Sequence, residues 1–148
     1  MEFAVPQSLK IEHEELHEEL AKAVKEGGNI GDAAKAVEEV LEPHFVKEED
    51  YALPPLGLLP RLADGKVTPE MVDALKMTNK LKLELGQMLE EHKAIVRALK
   101  VLADAAKKEK KMEYQQFADK LIQHAQNEEE ILYPTAILIG EYLKLKLK

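Results

Sequence analysis

His44-Phe45-Val46-Lys47-Glu48-Glu49-Asp50, running on to Pro54, and His124-Ala125-Gln126-Asn127-Glu128-Glu129-Glu130, running on to Pro134, are two copies of one pattern, H-x3-E-E-[DE]-x3-P, 80 positions apart. A shorter echo stands upstream of each: Glu12-His13 before the first and Glu91-His92 before the second, 79 positions apart. The chain therefore reads as two halves, each with E-H and then, about thirty residues on, H-x3-E-E-acid. Whatever fold it adopts must place both sets of histidines and acids.

The apolar periodicity around these motifs is helical. Leu9, Leu16, Leu20 and Val24 recur at helical spacing, and Gly27-Gly28 followed by Gly31 ends that first segment. Asp32 suits the N-cap of a second helix with the inner row Ala36, Val37, Val40, Leu41, His44, Glu48 and Tyr51. Pro43 lies within that row, where a proline removes a backbone hydrogen bond and costs about 3 kcal/mol, so a bend beside His44 is expected. Pro54 to Pro60 is too apolar for a solvated loop and reads as a plug over the end of a bundle in preference to a lid or partner surface. Thr68-Pro69-Glu70 opens a third helix through Leu75, Leu81, Leu85, Met88, His92, Ile95, Leu99 and Leu102. That segment is long enough to overhang its neighbours or to break near Thr78-Asn79. A fourth carries Phe117, Leu121, His124, Glu128, Ile131 and Leu132. Pro134 should interrupt it, leaving one or two further apolar turns over Thr135 to Leu143 and a frayed lysine-rich tail. Four amphipathic segments without a credible strand predict an all-α, up-down-up-down antiparallel four-helix bundle, a single domain over residues 1–148.

Composition narrows the partners. A net charge of -7 argues against nucleic acid, whose phosphates are met by surplus Lys and Arg, and it suits cations. With no cysteine, thiolate metal sites and iron–sulfur clusters are excluded, so any metal must be held by nitrogen and oxygen. Residues 1–10 lack the basic start and apolar run of a secretory signal. Ile131 to Ile139, the longest apolar run, is roughly half the ~20 residues of a membrane span, so a cytoplasmic protein away from membranes is expected.

Spacing alone carries little weight, because 28 of 148 residues are acidic. Placement carries more. Glu48 and Glu128 fall on the apolar rows of their helices, where an ionised carboxylate costs several kcal/mol unless a cation meets it. Counted from the turns at ~1.5 Å per residue, His13, His17, His44, His92 and His124 fall in one layer of the bundle. A lone histidine on an apolar face is usually a satisfied core residue, but five with two inward glutamates point to metal. Five imidazoles and two carboxylates are too nitrogen-rich for calcium or magnesium and too many for one tetrahedral zinc. They divide over two octahedral ions bridged by carboxylates, with iron the best fit, manganese next and zinc a contaminant.

At these residues the chain resembles the hemerythrin family in its HHE cation-binding branch, over nearly its whole length. The resemblance rests on the repeated H-x3-E-E with its trailing Leu53-Pro54 and Leu132-Tyr133-Pro134. It implies a four-helix bundle with a non-haem di-iron centre, carboxylate- and oxo- or hydroxo-bridged, that binds dioxygen between the helices. Carried over by motif, Glu48 and Glu128 bridge, while His13, His44, His92 and His124 are terminal ligands, one per helix. His17 has Val96 as its counterpart 79 positions on. If His17 binds, the ion near His13 and His44 has three histidines and the one near His92 and His124 stays open. A diatomic ligand is then expected beside Ile95 and Val96; otherwise His17 is an outer group holding a carboxylate or a water. The family's oxygen carriers pair their histidines on the third helix and place an aspartate five residues after the last histidine. Here the pair is on the first helix and the acid is Glu128, which weakens the case for reversible oxygen carriage.

The leading reading is a non-enzymatic di-iron protein binding dioxygen or nitric oxide for storage, delivery or sensing. A di-iron oxidase or peroxidase ranks lower, because only Glu14-Glu15-Leu16-His17 has the E-x-x-H spacing of the ferritin-like carboxylate enzymes. Iron sensing or handling would need a partner. A metal-free bundle would have to explain two inward glutamates.

Overall fold

The computed structural model describes residues 3–148. Helices α1 (Gln7–Glu26) and α2 (Gly28–Lys47) form a first hairpin, and α2 runs on through a π-helical turn (Glu48–Ala52). A 3-10 turn (Pro54–Leu58) and the short α3 (Leu59–Ala63) cross the end of the bundle before α4 (Val72–Lys108) returns along it. Helix α5 (Met112–Asn127) continues through a second π-helical turn (Glu128–Leu132) into α6 (Tyr133–Lys146) as the fourth rod. The four rods alternate in direction, the all-α up-down-up-down architecture that the amphipathic pattern implies. Among the described residues no helix is long and apolar enough to cross a membrane.

Two apolar clusters fill the interior with a polar layer between them. One contains Leu16, Leu20, Val37, Leu41, Phe45, Ile95, Leu99 and Leu121. The other contains Tyr51, Leu53, Leu56, Leu58, Met71, Leu81, Met88, Tyr133 and Ile139. Along α4 the buried row passes from Met88 in the second cluster through His92 to Ile95 and Leu99 in the first. Each of the other rods crosses the same layer: α1 at His13, α2 at His44 and Glu48, and the fourth rod at His124 and Glu128. Burial of the large aliphatic side chains on either side, about 1.5–3 kcal/mol each, offsets the cost of holding polar groups dry in the middle.

Several element boundaries differ from those expected of the sequence. Gly27 and Gly28, at φ 74° and 59°, supply the left-handed backbone that ends α1 and turns the chain. Helix α2 therefore starts at Gly28, and Asp32 lies inside it instead of capping it. Helix α4 does not break at Thr78-Asn79 but is continuous for 37 residues. Its early turns do not overhang, because α6 and the Pro54–Leu58 turn pack beside them and Pro54, Pro55, Leu56 and Leu58 are buried. Pro134 does not stop the fourth rod: it occupies the first turn of α6, where its missing N–H is not needed, and that helix holds to Lys146 instead of fraying after Leu143.

Helices α4 and α6 cross where Gly140 meets Thr78. A Cβ on Gly140 would lie 2.7 Å from the Thr78 Cβ and closer still to its hydroxyl. Gly140→Ala is therefore expected to lower the urea midpoint, by about 1–3 kcal/mol of stability, as overpacking does. Adding Thr78→Ala should recover part of that loss by removing the hydroxyl. An unchanged midpoint in the single variant would show that the crossing is looser than described.

Candidate metal centre

The site is built at two places where α-helix gives way to a wider turn. Leu53 N–H bonds to the carbonyl of Glu48 at 2.8 Å, and the Tyr133 N–H bonds likewise to that of Glu128. Both turns precede a proline whose ring, in an unbroken α-helix, would strike the carbonyl four residues back, Asp50 for Pro54 and Glu130 for Pro134. Widening the turn relieves that clash. Each π turn begins at a glutamate of the buried layer, in keeping with the association of such turns with functional sites.

Six side chains converge there, all at most 6% exposed: His13, His44, Glu48, His92, His124 and Glu128. They make two groups that share both glutamates. In one, His13, Glu48, His124 and Glu128 each present a ligand atom within 4.8 Å of the others; in the second, His44, Glu48, His92 and Glu128 do. In the first group His124 Nε2 lies 3.2 Å and His13 Nε2 3.9 Å from Glu128 Oε2, with His13 Nε2 3.7 Å from Glu48 Oε1. In the second, His92 Nε2 is 3.1 Å from Glu128 Oε1 and His44 Nε2 3.5 Å from Glu48 Oε2. The inward atoms of the first group, His13 Nε2, His124 Nε2, Glu48 Oε1 and Glu128 Oε2, are buried without a hydrogen-bond partner. Four converging orphaned donor atoms, two nitrogens and two carboxylate oxygens, suit a divalent or trivalent transition-metal ion.

The outward nitrogens of the histidines meet a second ring of carboxylates. His44 Nδ1 lies 2.8 Å from Glu91 Oε1, His92 Nδ1 3.0 Å from Glu129 Oε1, and His124 Nδ1 is paired with Glu12. His13 Nδ1 faces Glu49 at 3.5 Å. A carboxylate at Nδ1 fixes the proton there and leaves Nε2 free to face inward, the arrangement that orients histidine ligands toward metals. Glu91 is itself held by Lys47 at 2.5 Å and Gln87 at 3.2 Å.

A family model described as the hemerythrin HHE cation-binding domain matches residues 4–136. The chain belongs to that family. Comparison with curated proteins and with solved structures yields no match. The match spans the whole buried polar layer, from His13 to Tyr133, and stops within α6.

Within this hemerythrin bundle the histidines pair differently from the sequence expectation. Equal depth suggested His13 with His44 and His92 with His124; the structure joins His13 to His124 and His44 to His92. Distance from the turns fixes the level of a residue along the bundle, not which neighbour it faces within the level. A ligand position between His92 and His124, flanked by Ile95 and Val96, has no basis in this pairing. Ile95 is buried in the apolar cluster with Phe45, and Val96 is half-buried.

His17 is in neither group. Its side chain is 38% exposed and its Nδ1 lies 3.1 Å from Glu42. One helical turn beyond His13, it is kept from the layer by Phe45, which stacks on His13 at 4.2 Å and meets His17 edge-on at 5.0 Å. The counterpart of Phe45 in the second half is the small Ala125.

Tyr133 was not singled out as a site residue by sequence reasoning. Its hydroxyl donates to Glu48 Oε2 at 2.6 Å and lies 3.1 Å from both His44 Nε2 and His92 Nε2. The outer glutamates were likewise not assigned. Their signal was present, since Glu12 and Glu91, and Glu49 and Glu129, recur with the repeat.

Without a cation, protons take over part of the charge balance. Burial, and then the neighbouring Glu128, push Glu48 up to about 7. Burial also disfavours ionised Glu128, but the close approach of Glu48, His124, His13 and His92 outweighs it and holds that carboxyl well below its ordinary value. Burial alone would lower His124, yet Glu128, Glu12 and Glu48 raise it to about 9. His13 and His44 are raised against burial in the same way, by Glu128 and Glu48 for the first and by Glu48 and Glu91 for the second.

These shifts set the sign of a pH dependence. Glu48 and His124 both bind protons more tightly folded than unfolded, so their contribution is complete below 4.5 and 6.5 respectively and is lost as pH rises through about 7 and about 9. Glu128 has the opposite sign, and its contribution, complete above 4.5, is lost only in acid as pH falls through its lowered folded value. Metal-free protein is therefore expected to lose stability as pH rises from 4.5 to about 9, measured as urea midpoints in the presence of chelator. A midpoint that climbs across that range would contradict this account of the layer.

Proposed function

We propose that this hemerythrin HHE domain is a non-haem di-iron protein that binds dioxygen or a similar diatomic ligand such as nitric oxide. The observation that carries the reading is a pair of buried four-residue groups sharing Glu48 and Glu128, with four inward donor atoms of one group orphaned. In this reading His13 and His124 hold one ion, His44 and His92 the other, and the two glutamates serve both. The donors are imidazole and carboxylate, which favours iron and admits manganese or zinc. Bound there, iron would supply the redox-active open coordination that a diatomic ligand requires.

The chain's own residues supply orientation and shelter. Glu12, Glu91 and Glu129 aim the imidazoles of His124, His44 and His92 through their Nδ1 atoms, and Glu49 faces that of His13 at 3.5 Å. Phe45 covers the His13 side, stacked on one ring and edge-on to His124 at 6.5 Å. The apolar clusters above and below keep water from the layer, which strengthens every charge interaction inside it.

Protein produced with iron is expected to carry about two metal ions per chain by elemental analysis, with most of the metal lost on dialysis at roughly pH 4, where protons compete for the histidines. Glu128→Gln should lower the stoichiometry because it weakens both positions. His13→Ala should do so through one position, while His17→Ala should leave the stoichiometry unchanged. Full occupancy in Glu128→Gln, or a loss in His17→Ala equal to that in His13→Ala, would sink the assignment. Reversible uptake of nitric oxide by the reduced protein, followed optically, tests the ligand class.

A further inference from the structure

The two halves of the centre are related residue by residue, and one position breaks the relation in the middle of the site. Eighty positions separate Glu48 from Glu128, His44 from His124 and, by the same displacement, Leu53 from Tyr133. Both Leu53 and Tyr133 are fully buried, each the residue after a π turn and before a proline. Leucine meets the packing demand of that position in the first half. A phenol there in the second half adds one thing, an oxygen inside the layer.

That oxygen has a specific place. It lies 2.6 Å from Glu48 Oε2 and 3.1 Å from each of His44 Nε2 and His92 Nε2. His92 Nε2 is in turn 3.1 Å from Glu128 Oε1. Imidazole and carboxylate ligands sit about 2.1 Å from a first-row ion such as zinc, so neighbouring ligands at right angles are roughly 3 Å apart. The phenol oxygen therefore stands from three ligand atoms at the separation of an adjacent ligand on the same ion. The His13 and His124 Nε2 atoms of the other group have no such oxygen and stay unpartnered.

We propose that Tyr133 is a protein ligand of the ion held by His44, His92, Glu48 and Glu128, binding through its phenolate oxygen. The inference rests on the two-ion reading of the layer. In the metal-free chain the hydroxyl hydrogen goes to Glu48, satisfying a carboxylate that would otherwise be bare. Arrival of the cation displaces that proton to solvent, since groups bound to a cation are held deprotonated. The two ions then differ in their donors, one with two imidazoles and the shared carboxylates, the other with a phenolate in addition.

The test uses the full chain, loaded with ferrous iron under chelator-free conditions and oxidised with ferricyanide. Iron per chain, visible absorption and resonance Raman spectra are recorded for the wild type, Tyr133→Phe and, as a control, Tyr51→Phe. Tyr51 donates to Glu84 and lies 3.6 Å from Met88 Sδ, outside both groups. Ferric phenolate gives a visible charge-transfer band and enhanced tyrosinate ring modes, expected in the wild type and Tyr51→Phe. They should be absent from Tyr133→Phe at an iron content that still exceeds one per chain. Wild-type protein with two irons and no tyrosinate modes overturns the assignment and leaves the metal centre standing. Wild-type protein that takes up no iron overturns both. Tyrosinate modes that persist in Tyr133→Phe overturn the assignment in favour of another tyrosine. Should Tyr133→Phe fail to fold, as judged by helical circular dichroism, Tyr133→Leu, which carries the residue of the equivalent first-half position, takes its place with the same expected loss of the modes, and their absence from the wild type still overturns the assignment.

Discussion

Two carboxylates, Glu48 and Glu128, are held side by side in a dry layer between two apolar clusters, and the rest of the structure answers the cost of putting them there. Neither can ionise cheaply beside the other. In the metal-free chain the answer is to share protons: burial lets Glu48 keep its proton up to about pH 7, while Glu128 stays ionised beside His13 and His124, whose protons its charge retains. The imidazoles that face the carboxylates are also the groups that would bind metal, so a cation there would take over the charge balance from those protons.

The layer has an approximate two-fold logic that explains why whole motifs recur, beyond isolated ligands. Glu12, beside His13, supports His124; its counterpart Glu91, beside His92, supports His44. Glu49 faces His13, and its counterpart Glu129 supports His92. Each half thus supplies the outer carboxylates for histidines of both halves, so neither half could complete a site alone. The symmetry fails at three pairs, His17 and Val96, Phe45 and Ala125, and Leu53 and Tyr133. The last two make the surroundings of the two groups chemically different, whereas His17 stands outside both.

Much of this was legible in the repeat. Helical periodicity fixed four rods and their alternation, and the inward placement of Glu48 and Glu128 required a compensating charge. Depth along the rods correctly gathered His13, His44, His92 and His124 into one layer. Depth could not say which histidines face each other, because the azimuth of one rod around another depends on packing that no single helix encodes. His17 looked equivalent to His13 for the same reason, and only the bulk of Phe45 separates them. Tyr133 was hidden by its setting, as a tyrosine before a proline reads as the end of a helix and not as the middle of a site. The unbroken α4 was misjudged because its early turns were assumed to lack a partner, whereas α6 extends far enough to cover them.

The π turns carry a consequence for how such a centre could change. In an α-helix each residue advances the facing direction by about 100°, so a residue five places after a glutamate points well away from it. The wider turn at Glu128–Leu132 slows that advance, and Tyr133 comes back to the side on which Glu128 lies. The phenol is in the layer through backbone phase as much as through the identity of residue 133. Loss of a single residue between Glu128 and Tyr133 would let an ordinary helix replace the wide turn with the tyrosine four places after the glutamate, about 40° from it, so the phenol and α6 would keep their facing. The wide turn thus absorbs one residue without rotating the inner surface of the bundle, whereas the same length wound as an ordinary helix would turn everything beyond it by about 100°.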